Sequence, residues 1–240
     1  MSPIAFIALV AAGLFLLVVM VQRERTAQMR ARSLFLADCR SLFDQVSESE
    51  GADGFPQLEG LIAGKRVQVA FIPDTMTLRR LPQLWLSVTL LDPLPLEGAL
   101  GVLARPGGSE FYALTPTFAD RLERPAIFPP AVLVRGTGPD SAAALAKAGN
   151  AIGGLLADPK VKEVVATKKG LRVVWQAAEG KRGEHLILRQ GAFASGPIDP
   201  AVLVSLFDDL EIIAAALRPP APGTPARPTG RSARPKARKT

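Results

Sequence analysis

The side chains able to do chemistry are few, and their spacing matches no standard constellation. The chain has one histidine, His185, and one cysteine, Cys39. A zinc site would have to combine these two with carboxylates, and no ligand pair stands at metal spacing. A Ser-His-Asp arrangement through His185 stays open, because triad members can be distant in sequence, but no G-x-S-x-G elbow supplies a nucleophile. In its strand His185 shares a face with Ile187 and Arg189, opposite Leu186 and Leu188, which reads as an ordinary strand residue. Asp208, Asp209 and Glu211 cluster on the last helical stretch, off its apolar stripe, and read as a solvated face. Gly136-Thr137-Gly138-Pro139 precedes a helix like a phosphate loop. The G-x-G-x-x-G pattern is incomplete, however, and Pro139 removes a backbone donor. No catalytic, cofactor-binding or metal residue is assigned, and no cofactor is implied.

The most specific stretch is instead the uncharged apolar run from Pro3 to Val21, which includes Phe6, Leu9, Leu14 and Leu16. As a helix rising about 1.5 Å per residue it approaches the roughly 30 Å of a bilayer's hydrocarbon core. No Lys or Arg precedes the run and no small-residue cleavage pair follows it, so residues 1–21 read as an uncleaved transmembrane anchor rather than a signal peptide. Arg23, Arg25, Arg30 and Arg32 follow at once. The positive-inside rule then puts the N-terminus outside and the rest in the cytoplasm, as a single-pass protein of a bacterial-type inner membrane. A lone cysteine fits a reducing compartment.

Charge is uneven along the chain. Of the 29 basic residues, seven lie beyond Glu211, where no acidic residue remains: Arg218, Arg227, Arg231, Arg234, Lys236, Arg238 and Lys239. The net charge of +7 therefore belongs to the terminus, and residues 1–217 are balanced. Residues 218–240 are rich in Pro and hold no aliphatic residue larger than Ala, a composition expected to stay disordered. Such a tail binds polyanions by counterion release. Arg227, Arg231, Arg234, Lys236, Arg238 and Lys239 are its candidate contacts. Anionic lipid is the expected polyanion beside a membrane, in preference to nucleic acid.

Between anchor and tail the hydrophobic period changes twice. Residues 22–50 read as a juxtamembrane helix, with Phe35, Cys39, Leu42 and Val46 on one stripe and Cys39 as a small buried apolar side chain. From Gly51 the period falls to two. Strands are expected at Gln57–Ala63, Arg66–Ile72, Leu84–Leu91, Gly98–Ala104, Glu110–Leu114 and Ala131–Val134. A helix over Ser141–Ala157 follows, its Gly149 and Gly153 expected to pack closely on a sheet. Strands are then expected at Val161–Thr167, Leu171–Ala177 and His185–Gln190. Asp199 as N-cap and Pro200 at the first helical position open a final helix to Leu217.

The fold expected is α+β. A transmembrane helix continues into an amphipathic one, followed by a mainly antiparallel sheet with two packed helices over 51–217 (sub-blocks 51–135 and 136–217). The function expected is a membrane-anchored adaptor or scaffold with a protein partner and no catalysis. The alternatives are a membrane-bound hydrolase or transferase using His185 or Asp208 and Asp209, and tail-mediated binding of nucleic acid or anionic lipid.

Overall fold

A computed structural model describes residues 3–51, 54–75, 81–180, 193 and 196–219. Its frame is a mainly antiparallel sheet, with nine strands among the described residues. These are β1 (Asp44–Glu50), β2 (Pro56–Ile62), β3 (Lys65–Asp74), β4 (Gln83–Leu90), β5 (Ala99–Ala104), β6 (Asp120–Arg121), β7 (Val132–Thr137), β8 (Val161–Thr167) and β9 (Gly170–Glu179). Their spatial order is β1-β2-β3-β4-β9-β8-β5-β7-β6. Hairpins build the local pairs, whereas β4 beside β9 and β5 beside β8 close the sheet across distant sequence.

The expected alternation in β4 is present. Leu84, Leu86, Val88 and Leu90 are fully buried on one face, and Trp85 turns to the other. Two helices cover the first face, α2 (Ser141–Leu155) and α3 (Pro200–Leu217). Leu203, Leu206, Phe207, Leu210 and Ile213 of α3 enter the core as its stripe dictates. The α3 N-cap forms as expected, the Asp199 carboxylate accepting from the Ala201 N–H at 2.8 Å. On the second face a smaller cluster of Trp85, Leu103, Tyr112, Ala113 and Val174 lies under the segment after β5.

Several expectations fail, each for a physical reason. The N-terminal run does fold as a helix, α1 (Pro3–Ser33). Among the described residues, however, no helix is long and apolar enough to cross a membrane. Side chains 5, 8 and 9 of α1 lie outside the description, and charged residues begin at Arg23. The transmembrane, single-pass and signal-anchor reading of 1–21 is overturned, and the orientation drawn from Arg23, Arg25, Arg30 and Arg32 has no span to orient.

The juxtamembrane helix 22–50 is also corrected. Helix α1 stops at Ser33, a 3₁₀ turn occupies Asp38–Leu42, and 44–50 is a strand. Phe35, Leu36, Cys39 and Phe43 are buried, but Val46 is exposed. Pairing with β2 outweighs the local helical preference of Asp44–Glu50. Glu110–Leu114 forms turns rather than a strand, because its polar groups are used in a buried ionic clasp. The strand expected at His185–Gln190 lies outside the described residues.

Helix α1 is nonetheless tied to the domain at its C-terminal end. Phe35 packs edge-on against Phe55 and Phe71, at centroid distances of 5.6 and 5.5 Å. The Arg32 guanidinium lies 5.0 Å from the Phe55 ring centre, and the Ile198 N–H donates to the Phe35 carbonyl at 2.8 Å.

Candidate functional site

The acidic residues of α3 acquire a neighbour that the sequence does not reveal. Asp209 and Asp158 both line a pocket of about 170 Å³, along with Trp175, Ser205 and Leu206. Burial, then the Asp208 and Asp158 carboxylates, push the Asp209 carboxyl above its ordinary range. The Asp158 oxygens are already engaged. One accepts from the Trp175 indole N–H at 2.7 Å and the other from the Lys160 backbone N–H at 2.8 Å. The Lys160 ammonium lies 4.8 Å from the Trp175 ring centre, a contact that further fixes this corner. Among the described residues no group of three or more His, Cys, Asp or Glu side chains could hold a metal ion. His185 lies outside the described residues. The corner works as a helix-to-sheet brace, with a protonatable carboxyl at its rim.

Cys39 is fully buried, its thiol donating to the Ile198 carbonyl at 3.5 Å. Burial, then Asp38 and Asp199, push its pKa up to about 11. The thiolate needed for reaction is disfavoured, as expected for a small buried apolar side chain. In the loop at Gly136–Pro139, the Asp140 carboxylate accepts from the Glu97 and Gly98 N–H groups at 2.7 and 3.0 Å. An anionic side chain thus holds this loop against the start of β5. Gly149 and Gly153 face Pro125 and Ile127 of a loop rather than the sheet, beside a groove of about 370 Å³.

The largest concentration of buried polar chemistry was not anticipated. It clasps residues 105–118 onto the second face of the sheet. The Lys162 ammonium donates to Glu110 at 2.8 Å and to the Arg105 carbonyl at 2.7 Å. Both members of this ion pair are almost entirely buried. Glu163 is fully buried, and one of its oxygens accepts from the Thr115 N–H and hydroxyl, both at 2.8 Å. Arg172 donates to the Tyr112 carbonyl at 2.9 Å and approaches Glu163 at 3.5 Å. Burial pushes the Glu110 carboxyl up, but Lys162 and the Gly107 N–H outweigh it and hold the carboxyl below its ordinary value. Burial lowers the Arg172 pKa, and Glu163 opposes that shift. The signal in the sequence was two adjacent charges, Lys162 and Glu163, inside an otherwise apolar strand. The clasp leaves Phe111 and Leu114 exposed at its crest.

A second ionic cluster marks where the basic tail leaves the domain. Arg218 lies 2.5 Å from Asp92, which is also 3.4 Å from Lys65, and Lys65 pairs with Glu211. Burial raises the Asp92 carboxyl, but Arg218 and Lys65 reverse the shift and lower it. The tail residues Arg227, Arg231, Arg234, Lys236, Arg238 and Lys239 lie outside the described residues. Of the apolar candidates on α1, Phe6, Leu14, Leu16 and Val21 are exposed, as is Pro3, whereas the side chain of Leu9 is not described.

No family model matches the chain, and no curated protein is similar to it. Among solved structures it is similar to the crystal structure of the mycobacterial trehalose monomycolate transport factor A, TtfA. The identity is 13% and the TM-score 0.45, over 82% of this chain and 98% of that one. A likeness at that level carries no argument about what this chain does.

Proposed function

We propose that the protein is a membrane-associated interaction domain, an adaptor or assembly factor that works without catalysis. One observation carries this reading. The large apolar side chains of α1 from Ile4 to Val21 that are exposed point into solvent with 44 to 77% of their surface accessible. They include Ile4, Phe6, Ile7, Leu14, Phe15 and Leu17, spread around the helix rather than along one stripe. Each is worth about 1.5–3 kcal/mol when fully removed from water, so a chain that leaves them all exposed is strongly driven to cover them. Apolar side chains on a helix can bury in a membrane interface without the helix crossing it. Lipid therefore fits this surface best.

The folded body supports the adaptor part of the reading. The clasp under residues 105–118 commits four charged side chains to holding one surface segment in a fixed shape. A buried ion pair is weak evidence for net stability, and here its contacts fix the shape of the segment above it. The exposed Phe111 at the crest would then meet a protein partner. The test is flotation of the full chain with neutral phosphatidylcholine vesicles. The wild type is expected to float and a Leu14→Arg/Leu17→Arg variant to stay at the bottom. A wild type that remains with the soluble fraction overturns the proposal.

A further inference from the structure

Among the described residues the sheet ends on β1, and there that edge is open. All seven of its side chains are exposed, and of the described strands only β2 pairs with it. The Gly51 N–H donates to the Phe55 carbonyl at 2.9 Å. Antiparallel residues alternate in the direction of their main-chain groups. Continuing the register Ser49 to Gln57 and Ser47 to Glu59, the serines turn their N–H and C=O toward β2. Glu48 and Glu50 turn theirs outward. An open row of this sort is a template for an added strand. Its side chains select what is added. Asp44, Glu48 and Glu50 make the edge acidic, and only Glu48 is in an ion pair, with Arg40, among the described residues. A second copy of β1 would bring like charges together, which disfavours it.

We propose that the chain's own C-terminal segment, residues 219–240, docks on this edge and covers it, with its basic side chains against Glu48 and Glu50. Three observations converge on this occupant. The first is charge: no acidic residue follows Glu211, and six basic residues follow Arg218. The second is position. Arg218 is held by Asp92, which meets Lys65 at the start of β3. Lys65 faces Ile62, and the neighbouring Leu61 faces Asp44, so the segment leaves the domain at the Asp44 end of β1. Seven strand residues span about 23 Å, and the first 11 residues beyond Arg218 reach up to about 36 Å when extended. The third is sequence. Proline cannot donate to a ladder, but Thr229 to Arg234, between Pro228 and Pro235, is free of it. Six residues suffice to pair with Glu48 and Glu50. This cover stands independently of the membrane reading.

The test is amide hydrogen exchange of the full chain in detergent micelles at low salt. The Glu48 and Glu50 amides are expected to exchange at least about tenfold more slowly in the wild type than in an Arg231→Glu/Arg234→Glu/Lys236→Glu variant. That difference should shrink as salt is raised, since the Debye length falls from about 10 Å at 0.1 M to about 3 Å at 1 M. Val69, buried in β3, should be unchanged and so shows that the variant is folded. Equal rates at Glu48 and Glu50 in the two proteins would overturn the proposal. So would protection that grows with protein concentration, which would make the occupant a second copy's tail.

Discussion

Replacing Lys162 with Met should destabilise the domain strongly while leaving its packing volume nearly unchanged. Lys162 and Glu110 are 2.8 Å apart, with 4% and 2% of their side-chain surfaces exposed. Removing one member leaves an uncompensated buried charge, a loss of about 3–5 kcal/mol. With a urea slope of about 2 kcal/mol/M, the unfolding midpoint should fall by about 2 M. The pH dependence gives a sharper test. In the wild type the Glu110 carboxyl lies below its ordinary 4.5 when folded. Between those two values the unfolded chain binds more protons, so this contribution is complete above about 4.5 and is lost as pH falls through the folded value. In Lys162→Met the ammonium is gone and the Gly107 N–H still opposes burial. The folded value therefore rises, and the loss of stability on acidification through this range should be smaller than in the wild type. Adding Glu110→Gln removes the charge and should recover at least about 1 kcal/mol. Urea titrations of the wild type, Lys162→Met, Glu110→Gln and the double variant at pH 4, 5.5 and 7 decide the matter. A loss under about 1 kcal/mol, or strict additivity of the two substitutions, would refute the buried pair.

Asp199→Ala removes the side chain that caps α3 and should cost about 1 kcal/mol, read as a lower thermal midpoint; Asp199→Ser should restore most of it. Cys39, fully buried with its pKa at about 11, should resist alkylation at pH 7.5 in the native chain and react at the rate of a free thiol only in denaturant.

Much of the body was legible because its signals were local. Alternation in Leu84–Leu90 and the Asp199-Pro200 start of α3 depend on neighbouring residues, so period and capping chemistry located them. Asp44–Glu50 was misread as helix because what makes it a strand is Pro56–Ile62, a pairing partner that no local preference encodes. Likewise the clasp joins Glu110 to Lys162 and Thr115 to Glu163 across about fifty residues of chain, and only the strand order brings them together. The approach of Asp209 to Asp158 depends on how α3 lies on the sheet. The N-terminal run was read correctly as helix and as apolar throughout. The step from that to a membrane crossing is the one that the described helix does not support.

Vesicle flotation shows whether lipid covers the apolar half of α1. The full chain should rise with neutral phosphatidylcholine vesicles at low and high salt alike, because apolar burial is not screened. Leu14→Arg/Leu17→Arg should fail to rise, and Arg231→Glu/Arg234→Glu/Lys236→Glu should rise as the wild type does. A wild-type chain left below the gradient, or one that floats only with anionic vesicles at low salt, would contradict it.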